Sequence, residues 1–188
     1  MISLMIINEF SALKTLTAAV KTTGHITHCR DPETGSHLDR MSRYSLIIAN
    51  AIAKKYDLSD DYIEHVFMFS PLHDIGKVGI PDSILMKPDQ LNQEEMEIMK
   101  THASKGREIL DDILSNFGLE FIDNVNILRN IAEFHHEAVN GRGYPYGKKD
   151  GDIPLEARIV AVADIFDALT SKRPYKNAWM NEAAFEEL

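Results

Sequence analysis

HLDRMSRYSLIIANAIAKKY, residues 37–56, sets Met41, Tyr44, Ile48 and Ile52 at spacings of three and four. Such a stripe covers one side of an α-helix, so the stretch is read as a helix that buries those side chains. The same period governs the chain on either side. Phe10, Leu13, Leu16, Ala19 and Val20 mark an amphipathic helix upstream, with Lys14 and Lys21 off its apolar face. Between the two lies a break, Arg30-Asp31-Pro32-Glu33-Thr34-Gly35, rich in capping and turn residues. Ser59 with Asp60 and Asp61 starts the next helix, because acidic side chains suit the positive end of the helix dipole. That helix is expected to run towards Lys77, with a kink or restart at Pro71, and to end at Ile80-Pro81-Asp82. Asn92 and Glu95 have the spacing of a capping box. Further helices are expected at about 106–117, 122–137 and 155–171. Alternation of strand type is confined to the neighbourhood of 78–80. The fold class is therefore all-α, interrupted by one long loop from Asn140 to Pro154 that holds four glycines and two prolines. Long irregular segments in compact domains are usually functional, so function is expected there.

A length of 188 residues fits one domain and suffices for a core without disulfides or a structural metal. Apolar residues at 44% and charged residues at 26% exclude wholesale disorder. Twenty Lys+Arg against 29 Asp+Glu give a formal charge of −9, which excludes a basic surface for coating DNA. An anionic substrate would need local positive charge, and metal ions held by some of the eight histidines could supply it. The single cysteine, Cys29, cannot pair within the chain and is read as a small semi-buried filler in a reducing compartment. Residues 1–7 are apolar but are broken by Asn8 and Glu9, with no basic leader or small-residue cleavage site. No apolar run approaches the roughly 18 residues of a membrane span. The expectation is a cytoplasmic protein.

His25, His28 and His65 have uninformative neighbours and are read as surface or partly buried helix histidines. The other five keep different company. His73-Asp74 and His135-His136-Glu137 are tight groups, Glu33 and His37 stand four apart, and His102 is expected to end a helical segment. Asp164 sits in the apolar run IVAVADIF, residues 159–166, where a carboxylate is costly unless paired, hydrogen-bonded or bound to metal. Asp167, three residues on, shares its face. Five histidines with Asp and Glu are the ligand mixture expected for Fe, Mn, Zn or Ni.

His73-Asp74-Ile75-Gly76-Lys77 resembles the signature of the HD superfamily of metal-dependent phosphohydrolases. His135-His136-Glu137-Ala138-Val139-Asn140-Gly141-Arg142-Gly143-Tyr144-Pro145 resembles the pattern that names the HD-GYP subfamily. The block from Arg30 to His37, Ile80-Pro81-Asp82 and Arg173-Pro174-Tyr175-Lys176 fit the same subfamily in order and spacing. The resemblance implies an all-α HD-GYP domain over 29–188, short of its closing helices, with residues 1–28 as a linker helix. It implies a phosphodiesterase that hydrolyses cyclic di-GMP to pGpG and/or GMP. The implied metal ligands are His37, His73, Asp74, His102, His135, His136 and Asp164. Glu33 matches a position associated with a third ion, so two or three divalent ions are expected, iron first and manganese next.

Physical logic agrees. A carboxylate has two oxygens, so Asp74 could bridge two ions, which in turn could share a hydroxide and aim it at phosphorus. Lys77 follows His73 by four and Asp74 by three, which assigns it to phosphate contact and transition-state stabilisation. Asp167 either supports a ligand or acts as an acid assisting the leaving group. Gly141 and Gly143 allow close backbone approach, Tyr144 offers a ring for guanine, and Pro145 stiffens its placement. The resemblance implies guanine or phosphate contacts for Arg173 and Lys176. Ala138 and Asn140 replace a basic residue and an Asp common in the subfamily, and are expected to adjust the loop. Two rival readings stand beside the enzyme. One is a catalytically silent receptor that binds the nucleotide, or a diguanylate-cyclase-type partner, through Gly143-Tyr144-Pro145. The other is a phosphodiesterase for a hybrid guanine–adenine dinucleotide. A homodimer is compatible with each.

Overall fold

The computed structural model describes residues 35–120, 123–171 and 178–188, together with Thr15, Ala18 and Thr22. Glu33, Arg173 and Lys176, most of the upstream helix at 10–20, Cys29 and the break around Pro32 lie outside the described residues.

The first stretch folds as its period demands, into α1 (Gly35–Tyr56) with Met41 fully buried and Tyr44, Ile48 and Ile52 packed against the core. Ser59 Oγ accepts the Tyr62 amide at 3.2 Å and starts α2 (Asp60–Phe69). The restart at Pro71 is observed, and it is sharper than a kink. Proline has no N–H to continue the ladder, so α2 stops at Phe69 and two 3₁₀ turns follow, Ser70–Leu72 and Ile75–Gly79. His73 and Asp74 lie at the corner between them. After the short α3 (Asp82–Leu85), Asn92 opens α4 (Gln93–Lys100) with the expected capping box. Asn92 Oδ1 accepts the Glu95 amide at 2.9 Å and Glu95 Oε2 accepts the Asn92 amide at 2.8 Å.

His102 does not end a helix; it is the first residue of α5 (His102–Phe117). The helical backbone of Thr101, φ −65 and ψ −13, runs α4 into α5, so their junction leaves little trace in the sequence. Helix α6 (Val125–Phe134) is shorter than expected and leaves His135 as its C-cap. A 3₁₀ turn (Asp150–Asp152) closes the long loop, and α7 (Leu155–Thr170) and α8 (Asn181–Glu187) follow. Among the described residues there is no strand, only an isolated bridge between Asn140 and Lys149 in that loop.

Helix α5 packs on α6 and on the Ile75–Gly79 turn, α1 packs on α2 and α7, and α6 packs on α7. Phe69, Leu72, Ile75, Leu110, Leu114, Leu128, Ile131 and Val160 fill the centre. Each such side chain contributes roughly 1.5–3 kcal/mol by leaving water. One buried polar knot ties three helices. Glu156 of α7 accepts the Tyr62 hydroxyl of α2 at 2.9 Å on Oε2 and the Asn130 amide of α6 at 2.6 Å on Oε1. Burial, then the Glu156 carboxylate, push the Tyr62 phenol well above its usual range. Glu156→Ala strands both donors and is expected to cost about 2–3 kcal/mol. In thermal melts that is a Tm lower by about 4–12 °C. An unchanged melt would show that the knot is not structural.

Candidate metal centre

All the ligands but Asp164 are delivered at the end of an element or at a corner. His37 comes from the first turn of α1, His73 and Asp74 from the corner between the 3₁₀ turns, and His102 from the start of α5. His135 and His136 stand where α6 stops, and Asp164 lies along α7. The corner can sit against α5 because residue 76 is glycine. A Cβ there would collide with the His102 carbonyl.

Backbone carbonyls fix the imidazoles. Nδ1 of His73 donates to Ser70 O at 2.8 Å and Nδ1 of His102 to Met99 O at 2.8 Å. Nδ1 of His135 lies 3.0 Å from Ile131 O and 3.1 Å from Ala132 O. A carbonyl only accepts, so each Nδ1 carries a proton, and in the neutral ring Nε2 presents a lone pair. His37 is held likewise, its Nδ1 2.7 Å from Asp167 Oδ2.

The Nε2 atoms of His73, His102 and His135 converge on Asp74. Asp74 Oδ1 is 3.2 Å from His102 Nε2 and 3.8 Å from His135 Nε2, whereas Oδ2 is 3.3 Å from His73 Nε2 and 2.8 Å from Lys77 Nζ. Two donor groups result: Asp74 with His102, His135 and His136, and His37 with His73 and Asp164. Within each, the donor atoms lie no more than 4.8 Å apart.

These residues fit divalent ions on three observations. Nε2 of His73 and Oδ1 of Asp74 are buried with no partner of hydrogen-bonding geometry among the described residues. Nε2 of His102 and Nε2 of His135 face each other at 3.4 Å, which sets two lone pairs together in the neutral rings unless a cation lies between. Protonation is a poor substitute, because burial and neighbouring imidazoles hold His136 far below its usual value and burial also lowers His135. His73 differs. Burial lowers its basicity, but the Asp74 carboxylate outweighs that and lifts it to about 9, so an ion held there would take the place of a proton. Asp74 itself, against its burial, is held well below the carboxylate range, first by Lys77 and then by His73.

Asp167 is 1% exposed and fully engaged: beside His37 it takes Arg40 Nε on Oδ1 at 2.5 Å and Arg40 Nη2 on Oδ2 at 3.0 Å. Against the cost of burial, those partners keep the carboxyl far below its usual range. Arg40 was not singled out by sequence reasoning, although its position three residues after His37 on α1 was a usable signal. Asp167→Asn keeps one acceptor oxygen where three donors converge on two, and is expected to weaken ion binding about 10–100-fold, measured by metal titration. Undiminished affinity would remove Asp167 from the support of His37.

The glycine-rich loop returns over the centre. Tyr144 packs its ring 4.6 Å from His136 at 30°, and Lys100 Nζ lies 5.8 Å from the same ring. Pro145 follows it, and Gly143 lies flat on the His136–Ala138 backbone, where a Cβ would strike Ala138 N and His136 O. Within the loop, Asn140 Oδ1 accepts the Arg142 amide at 2.9 Å. His65 belongs to neither donor group; it bonds Asp61 O at 2.6 Å on α2.

The HD domain family profile matches residues 6–188. The chain belongs to the HD domain family. Its motifs and relatives make it an HD domain of HD-GYP type. A cyclic di-GMP phosphodiesterase response regulator of Xanthomonas campestris pv. campestris is 45% identical over 159 residues, 85% of this chain and 39% of that protein. A cyclic di-GMP phosphodiesterase of Thermotoga maritima is 43% identical over 163 residues, 87% of this chain and 41% of that protein. A 3'3'-cGAMP-specific phosphodiesterase of Vibrio cholerae is 41% identical over 159 residues, 85% of this chain and 28% of that protein. This HD domain thus spans about two fifths or less of the length of those relatives. Among the described residues, no helix is long and apolar enough to cross a membrane.

Proposed function

We propose that this HD domain is the catalytic unit of a cytoplasmic, metal-dependent phosphodiesterase that hydrolyses cyclic di-GMP to pGpG and/or GMP. The observation that carries the reading is Asp74, whose two oxygens face the donors of two adjoining ligand groups. The names of the relatives support the substrate. Imidazole–carboxylate donors accept several divalent ions, with iron taken first and manganese next. Such ions supply Lewis acidity at the scissile phosphate and make water nucleophilic at neutral pH.

The chain's own residues do the rest. His37, His73, His102, His135, His136, Asp74 and Asp164 hold the centre, with Glu33 as the ligand that a third ion would take. Lys77, paired with Asp74 Oδ2 at 2.8 Å, keeps an ammonium beside the centre for a non-bridging phosphate oxygen. Asp167 orients the His37 ring. Tyr144 stacks a guanine, with Gly143 and Pro145 setting its place and Arg173 and Lys176 reaching the base or phosphate.

A second reading, a hybrid guanine–adenine dinucleotide as substrate, is favoured by the relative specific for 3'3'-cGAMP. Product analysis separates the readings. Anaerobically purified protein, loaded with iron or manganese, is given cyclic di-GMP, 3'3'-cGAMP and linear pGpG. Cyclic di-GMP is expected to turn over fastest, and His73→Ala to be roughly a thousandfold slower. Preference for the hybrid would select the second reading, and binding without product would make the chain a receptor.

A further inference from the structure

We propose that Glu137 is a positioning residue that clamps the Gly143-Tyr144-Pro145 loop over the metal centre and so sets the affinity for a nucleotide base. The proposal rests on the cyclic-dinucleotide reading above, and concerns a residue that contributes no atom to either donor group.

Glu137 is only 5% exposed, and a buried carboxylate is costly unless its oxygens are satisfied. Both are, by the far limb of the loop. Oε1 accepts the Tyr146 amide at 2.8 Å and Oε2 accepts the Lys148 amide at 2.8 Å. Bonds to an ionised acceptor are about twice as strong as neutral ones. The near limb is held by backbone, with the Gly141 amide on Ala138 O at 2.7 Å and the Tyr144 amide on His136 O at 3.1 Å. Tyr144 and Pro145 lie between the two anchorages. The Tyr146 hydroxyl adds an outer tie, donating to Glu133 Oε1 at 2.8 Å. Glu133 in turn accepts from Arg107 on α5 at 3.0 Å. The loop is therefore fixed to the segment that carries His135 and His136. Tyr144 keeps its register with the metal ligands without binding metal itself.

Two acceptors on one side chain are what the clamp needs. Glutamine has the same length, but its amide nitrogen would meet a backbone N–H donor with another donor. Glu137→Gln thus keeps the volume and breaks one of the two bonds; Glu137→Ala breaks both. In the metal-loaded protein, with metal content measured for each variant, hydrogen exchange at Tyr146 and Lys148 is expected to rise stepwise from wild type to Gln to Ala. The KM for cyclic di-GMP is expected to rise about tenfold or more, as a displaced stacking platform requires, while kcat moves less than about threefold. Fast exchange of those amides in the wild type, an unchanged KM, or parallel losses of metal and kcat would each overturn the proposal. Absence of turnover in the wild type would instead strike the enzymatic reading. The exchange data and the calorimetric affinity for cyclic di-GMP would then still decide the role of Glu137.

Discussion

Asp74→Asn is expected to leave both donor groups largely empty and turnover down by roughly a thousandfold or more. The reason is charge as much as geometry. Within its group Asp74 supplies the carboxylate and His102, His135 and His136 supply imidazoles. Asparagine keeps one oxygen but removes the negative charge, and it turns a hydrogen-bond donor towards Nε2 of either His73 or His102. Lys77 compounds the loss, because its ammonium, now 2.8 Å from Asp74 Oδ2, stays behind with no carboxylate to offset it. A cation near that ammonium is repelled by about 4 kcal/mol for unit charges 4 Å apart at an effective dielectric constant near 20. Elemental analysis and steady-state rates on the same folded preparation check the prediction. Full metal content in the variant would mean that Asp74 does not bridge the groups.

The sequence revealed what is decided locally or by motif. The Ser59 cap and the Asn92–Glu95 box depend on side chains reaching backbone three residues away, so spacing alone predicts them. His73, Asp74, His102, His135 and Asp164 were legible because their pattern repeats a known motif; composition by itself could not have selected them from the other histidines. What the sequence hid depends on distance along the chain. Arg40 meets Asp167 across 127 residues, and its place one turn after His37 hints at the site without naming its partner. Glu137 was visible as part of a tight group, but its task depends on a loop that turns back 9 and 11 residues later to offer two amides. The α4–α5 junction is hidden because Thr101 stays helical, leaving no proline or glycine to mark where one helix yields to the next.

Gly76→Ala is expected to destabilise the protein by about 3 kcal/mol or more, although it adds a single methyl group. The added Cβ would fall on the His102 carbonyl and close to the Gly106 amide, which are partners four apart at the first turn of α5. Neither is a flexible side-chain end that could swing aside. Relief requires the Ile75–Gly79 turn to move away from α5, and Asp74 and Lys77 move with it. Asp74 Oδ1 would then lose its 3.2 Å approach to His102 Nε2, so metal content should fall together with stability. Gly106→Ala on the opposite wall is the control. Its Cβ would meet Gly76 N at 3.4 Å and Ala132 Cβ at 3.5 Å, ordinary van der Waals contacts. Alanine also favours a helix interior over glycine by about 1 kcal/mol. Thermal melts are therefore expected to drop by at least about 6 °C for Gly76→Ala and to hold or rise for Gly106→Ala. Equal melts and equal metal content in the two variants would show that the approach of the His73–Asp74 corner to α5 is not what assembles the centre.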